Sequence, residues 1–153
     1  MPDSWSTEAA NKLRKQRDRK LQEEAAVLEK IRLRTAKAPE LWQELRQTVK
    51  SMCESLNAEY GEEIAAVQMV HPRELVVRIK TPGSGVHELK ATFEASSAGD
   101  ALKWVTAGHT RNLPQNGKFR LAVDEGKVMF QSNLAPATVE AIAIQMLDGL
   151  LLE

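Results

Sequence analysis

Residues 52–80 read MCESLNAEYGEEIAAVQMVHPRELVVRIK, and a change of periodicity inside this stretch decides the fold class. Before Gly61, the residues Met52, Cys53, Leu56 and Tyr60 recur at helical spacing. After Pro72, Leu75, Val77 and Ile79 alternate with Glu74, Arg78 and Lys80, the pattern of a strand with one buried face. Gly61 stands between the two regimes and suits a left-handed helix C-cap. All eight glycines lie at or after it, so the first sixty residues hold none of the usual breakers except proline.

Upstream of the quoted stretch, Leu41, Trp42, Leu45 and Val49 extend the apolar stripe, which becomes wide enough to cover a sheet. Pro39 is expected to start this helix at the position where its missing N–H matters least. A separate first helix is expected from a cap at Ser6 or Thr7, with Glu8 in its first turn, to about Lys37. Within it, Leu21, Ala25, Leu28, Ile31 and Thr35 follow a spacing near 3.5 and offer a short coiled-coil seam of fewer than three heptads. The segment Asn11–Lys20 carries one large apolar residue, Leu13, against six basic ones, so it has no face of its own to bury. These features divide the chain into a projecting basic helical extension, 1–38, and a single α+β domain, 39–153.

Downstream, strands are predicted at about 64–70, 74–80, 86–95, 101–107, 118–124 and 127–133. Leu89, Ala91 and Phe93 oppose Glu88, Lys90 and Thr92, and Phe119, Leu121 and Val123 repeat the alternation. Residues 100–107 also read as one helical turn leading into a strand. The connections 71–73, 81–85, 96–100 and 124–127 are short and rich in Pro, Gly, Ser and Asp, so successive strands are expected to pair antiparallel. A last helix is expected from Pro136, with Val139, Ile142, Ala143, Met146, Leu147 and Leu150 on one face and Ile144 and Leu151 outside it. The fold class is therefore α+β: a long N-terminal helix or helix pair, a curved antiparallel sheet of about five or six strands in meander order, and a C-terminal helix packed on the sheet.

Composition narrows the function classes without selecting one. The chain has 153 residues, 21 basic and 21 acidic side chains, and no global field that steers it toward nucleic acid or membrane. No uncharged apolar run is long enough to span a bilayer, and the first residues lack the layout of a signal peptide. With one cysteine, Cys53, there is no intramolecular disulfide, and the expected compartment is the cytoplasm. Cys53 lies in the apolar stripe and reads as structural rather than reactive. His71 and His87 read as surface histidines of a turn and a strand start. None of His71, His87 and His109 has a metal-ligand spacing to another donor, so neither a metal nor a cofactor is expected, and no catalytic residue is assigned.

Two stretches carry candidate sites. The basic run supplies Lys12, Arg14, Lys15, Arg17, Arg19 and Lys20 as a contact for an anionic partner, either phosphates or an acidic protein surface. The long polar loop 108–117 supplies His109, Thr110, Arg111 and Asn112 as a ligand loop. The reading favours a cytoplasmic, non-enzymatic interaction or scaffold protein that self-associates or binds a protein partner through its helices, with no membrane contact. The first alternative is a small-ligand binding domain, with or without catalysis, using a cavity between the sheet and the C-terminal helix. The second is nucleic-acid association through the basic helix.

Overall fold

The computed structural model describes residues 2–69, 71–83, 85–94, 101–108, 115–132 and 135–151. Its first element, α1 (Pro2–Tyr60), is a single helix of 59 residues, about 88 Å long at 1.5 Å per residue. The expected break near Lys37 and restart at Pro39 are corrected, as is the expected start at Ser6 or Thr7: the helix begins at Pro2 and passes through Pro39. A proline inside a helix removes one hydrogen bond and crowds the carbonyl four residues earlier, a cost of about 3 kcal/mol. Here that cost is offset by good helix formers on both sides and by the burial of Ala38 directly before it and of Leu41, Trp42 and Leu45 after it. Local pairs add to this, with Arg32 Nη2 2.5 Å from Glu29 and Lys37 Nζ 2.8 Å from Glu40.

Helix α1 ends at Gly61, whose φ of 87° confirms the left-handed cap. Asn57 then joins the helix to the sheet. Its Nδ2 donates to the Ala65 carbonyl at 2.9 Å, and its Oδ1 accepts from the Ile64 and Ala65 amides at 2.9 and 2.8 Å. Tyr60, expected within the apolar stripe, is exposed, because the helix has by then run past the surface that the stripe covers.

The sheet comprises β1 (Ala65–Gln68), β2 (Glu74–Thr81), β3 (Gly85–Glu94), β4 (Ala101–Ala107), β5 (Asn116–Asp124), β6 (Lys127–Ser132) and β7 (Ala135–Ala137). All pair antiparallel in chain order, so the sheet is an open seven-stranded meander. Segment 101–107 is thus strand and not a helical turn. The β5–β6 hairpin turns through Glu125 and Gly126, both at positive φ, the geometry of a type I′ turn whose twist matches its strands.

The seventh strand exceeds the five or six expected, and it displaces the predicted helix start. Pro136 pairs with Gln131 in β7 rather than opening a helix. An edge strand tolerates proline because one row of its N–H groups has no neighbour to bond. Thr138 takes over the cap, its Oγ1 accepting the Ala141 amide at 3.1 Å, and α2 (Val139–Leu151) follows. As expected, Val139, Ile142, Ala143, Met146, Leu147 and Leu150 are buried while Ile144 and Leu151 are exposed.

The core lies on one face of the sheet. Leu75, Val77, Ile79, Leu89, Phe93, Leu102, Trp104, Phe119, Leu121 and Phe130 point into it beneath α2 and the second half of α1. Trp42 fastens α1 there: its ring stacks on Phe93 at 5.5 Å, and its Nε1 donates to the Pro72 carbonyl at 2.7 Å. The opposite face is open and carries cross-strand pairs, Arg78–Glu88 at 2.9 Å, Lys103–Glu94 at 3.4 Å and Lys90–Glu74 at 3.6 Å. Exposed pairs of this kind contribute only a few tenths of a kcal/mol each, so the sheet is held by its buried face.

Candidate functional site

From Ser4 to Lys30 every side chain of α1 is exposed except Ala9 and Ala10, which are half-buried. The apolar seam is continuous with the buried stripe. Leu28, Ile31, Thr35, Ala38, Trp42, Leu45 and Val49 repeat at alternating steps of three and four residues, yet Ala38, Trp42, Leu45 and Val49 are buried while Leu28 is 66% and Leu21 55% exposed. The same half of the helix exposes Trp5, Leu13 and Val27. Lys12, Arg14, Lys15, Arg17, Arg19 and Lys20 surround the axis here and are exposed. The ion pair within this run joins Arg17 to Asp18 at 3.7 Å.

Further along, α1 and the start of α2 enclose an open groove of about 770 Å³. Met52, Leu56 and Val139 form its apolar part, and Thr48, Ser51 and Ser55 add hydroxyls. Among the described residues, three carboxylates, Glu44, Glu59 and Glu140, stand around it, and no lysine or arginine lines it. Glu140 sits in the first turn of α2, where the helix dipole favours a negative charge. Glu59 sits in the last turn of α1, where the dipole disfavours it and no basic residue offsets it.

A second recess, of about 420 Å³, opens between the sheet and α2 and is lined by Trp104, Gln115, Asn116, Ile144, Gln145 and Asp148 among others. Its inner wall is the Trp104 indole, held between two positions without a Cβ. A Cβ on Gly117 would lie 2.3 Å from Trp104 Nε1, and one on Gly149 would lie 2.9 Å from Cη2. Among the described residues, the buried Nε1 has no hydrogen-bond partner. Beside this recess the β4–β5 connection is tied at its base, where Thr106 and Gln115 exchange backbone and hydroxyl hydrogen bonds of 2.8 Å. Gly108 follows with φ of 94°, and a Cβ there would meet the Val86 carbonyl oxygen at 2.4 Å. His109, Thr110, Arg111 and Asn112, the predicted ligand loop, lie outside the described residues.

The expectation of a surface His87 is corrected: it is 2% exposed and contacts Thr81 Oγ1 at 3.2 Å through Nε2. Its place is set by the β2–β3 register, which puts it opposite Ile79 on the core face. His71 is exposed in its turn, and its Nδ1 accepts the Arg73 amide at 3.3 Å. Cys53 is buried, and burial, with a smaller contribution from the Glu54 charge, pushes its thiol up to about 11. A thiol held protonated at neutral pH is a poor nucleophile. Among the described residues, no group of three His, Cys, Asp or Glu side chains gathers to hold a metal ion.

Of the predicted site residues, the structure describes the basic run, at one end of α1. The acidic groove, which sequence reasoning missed, lies toward the other. The groove could have been found in part, because Glu44, Ser51, Ser55 and Glu59 share one side of a helix. Glu140 could not, since only tertiary packing brings it alongside. Comparison with protein-family models, with curated proteins and with solved structures finds no match.

Proposed function

We propose that the protein is a cytoplasmic, non-enzymatic interaction protein in which the sheet and its helices anchor α1, while the arm of residues 1–38 binds a protein partner or a second copy of the chain. One observation carries this reading. The apolar seam that α1 buries from Ala38 to Val49 continues beyond the sheet as the exposed Leu21 and Leu28. A helix that presents an apolar stripe to water gains by covering it, at roughly 25 cal/mol per Å² of apolar surface removed from solvent. Among the described residues, no other element packs on Leu21 and Leu28, and an isolated helix of that length draws most of its stability from packing.

The test is affinity purification of the full-length chain beside Leu21→Asp/Leu28→Asp, with mass spectrometry and nucleic-acid absorbance on both eluates. A protein, or the chain itself, retained by the wild type and lost in the variant at unchanged circular dichroism supports the reading. Retention of another protein that ignores both substitutions overturns it, and retained nucleic acid moves the assignment to Lys12–Lys20. The recess under Trp104 favours a second reading, a small-ligand site between the sheet and α2, for which a saturable change in Trp104 fluorescence on ligand screening is the corresponding test.

A further inference from the structure

We infer that the partner of the acidic groove is the basic end of α1 from a second copy, in an antiparallel two-fold dimer. The inference rests on the arm being a binding element, as proposed above, but places the second copy on the side of α1 opposite Leu21 and Leu28 at 3.6 residues per turn, so the seam stays uncovered in this dimer.

The first support is charge. Residues 11–20 hold six bases and one acid, while the groove is lined by Glu44, Glu59 and Glu140 with no base. The basic end of α1 therefore carries the charge that the groove lining lacks. Glu59 adds to this, because a cation laid beside it relieves its conflict with the helix dipole.

The second support is placement. Trp5, Glu8, Lys12, Lys15 and Arg19 lie on one side of α1 at 3.6 residues per turn, three bases against one acid, and Glu44, Thr48, Ser51, Ser55 and Glu59 continue the same stripe. Two copies of a helix with a basic block at one end and an acidic block at the other, both on one side, satisfy both blocks when they run antiparallel. Such an arrangement is isologous: the contact made by the first arm in the second groove is repeated by the second arm in the first. Trp5, 71% exposed, then supplies an aromatic anchor for the apolar surface of Met52, Leu56 and Val139.

The third support is area. The stretch from Trp5 to Glu59 is about 80 Å long at 1.5 Å per residue and about 10 Å wide, so a side-by-side pair covers roughly 800 Å² per protomer. That matches the roughly 800 Å² per partner of a standard stable interface.

Sedimentation equilibrium on the full chain at low and high salt, with two charge-reversed variants, tests the dimer. Lys12→Glu/Lys15→Glu/Arg19→Glu inverts the arm, and Glu44→Lys/Glu59→Lys/Glu140→Lys inverts the groove. All six residues are exposed, so both variants should keep the wild-type circular dichroism. The wild type should dimerise with an affinity that weakens as salt rises, and each variant alone should associate at least tenfold more weakly. An equimolar mixture of the two should recover a heterodimer, because both of its contacts are again between opposite charges. A wild type that stays monomeric overturns the inference, as does a dimer indifferent to either reversal or a mixture that does not recover. A monomer that still holds another protein through Leu21 and Leu28 overturns the dimer while leaving the interaction reading in place.

Discussion

Substituting Gly117 by alanine should destabilise the protein, and the size of the loss follows from where Trp104 sits. Gly117 in β5 is paired directly with Trp104 in β4, on the core face. The new Cβ would lie 2.3 Å from Nε1, 2.7 Å from Cε2 and 2.9 Å from Cζ2. The ring cannot retreat, because its far edge already meets the Gly149 position of α2, where a Cβ would be 2.9 Å away. Forcing volume into a closed core costs about 1–3 kcal/mol. Against this, alanine lowers the entropy of the unfolded chain and suits a strand better than glycine, a gain of about 0.5–1 kcal/mol. The net expectation is a loss of about 1–2 kcal/mol. Urea unfolding followed by far-UV circular dichroism should show the midpoint falling by roughly 0.5–1 M if the slope is near 2 kcal/mol/M. The same substitution in a Trp104→Phe background should lose much less, since the smaller ring leaves space, and the difference gives the coupling energy. A Gly117→Ala protein as stable as wild type, or an equal loss in both backgrounds, would refute the placement of the indole against this glycine.

Three further substitutions probe α1. Asn57→Ala removes the acceptor of two amides and the donor to the Ala65 carbonyl, and should cost about 2–3 kcal/mol in chemical denaturation; a change under about 0.5 kcal/mol would show that the clamp is not formed. Pro39→Ala should raise stability by about 1–3 kcal/mol, because it restores a hydrogen bond inside a continuous helix, whereas a loss in thermal melting would mean that Pro39 begins a separate helix. For Cys53, the folded thiol lies near 11 against an ordinary value near 9, so the unfolded chain loses its proton first as pH rises. Its stability contribution is complete below about pH 9 and falls by up to about 3 kcal/mol by pH 11. The stability gap between wild type and Cys53→Ala should narrow over that window, and a constant gap would contradict the burial of the thiol.

Several elements were legible residue by residue. The alternation of Leu75, Val77 and Ile79 placed β2, and the apolar side of α2 emerged with its buried and exposed residues correctly divided. Pro39 and Pro136 were misread for one reason: proline at the start of a helix, inside it and on an edge strand leaves the same local mark. What separates these cases is the packing around the residue, the burial of Ala38 and Leu41 in one case and pairing with Gln131 in the other. His87 was misread because its alternation with Glu88 shows that the two face opposite ways but not which way is inward.

The sequence by itself determined the change from helix to sheet at Gly61, the antiparallel meander with its short turns, and the basic character of residues 12–20. These depend on local spacing, backbone freedom and composition, which the chain carries within a few residues of each position. Only the tertiary structure decided that α1 runs unbroken, that Glu140 joins Glu44 and Glu59 around one groove, and that Gly117 and Gly149 share the Trp104 ring. Each of those depends on residues far apart in the chain meeting in space, and burial, which arises only at that meeting, supplies the free energy that overrides the local preferences.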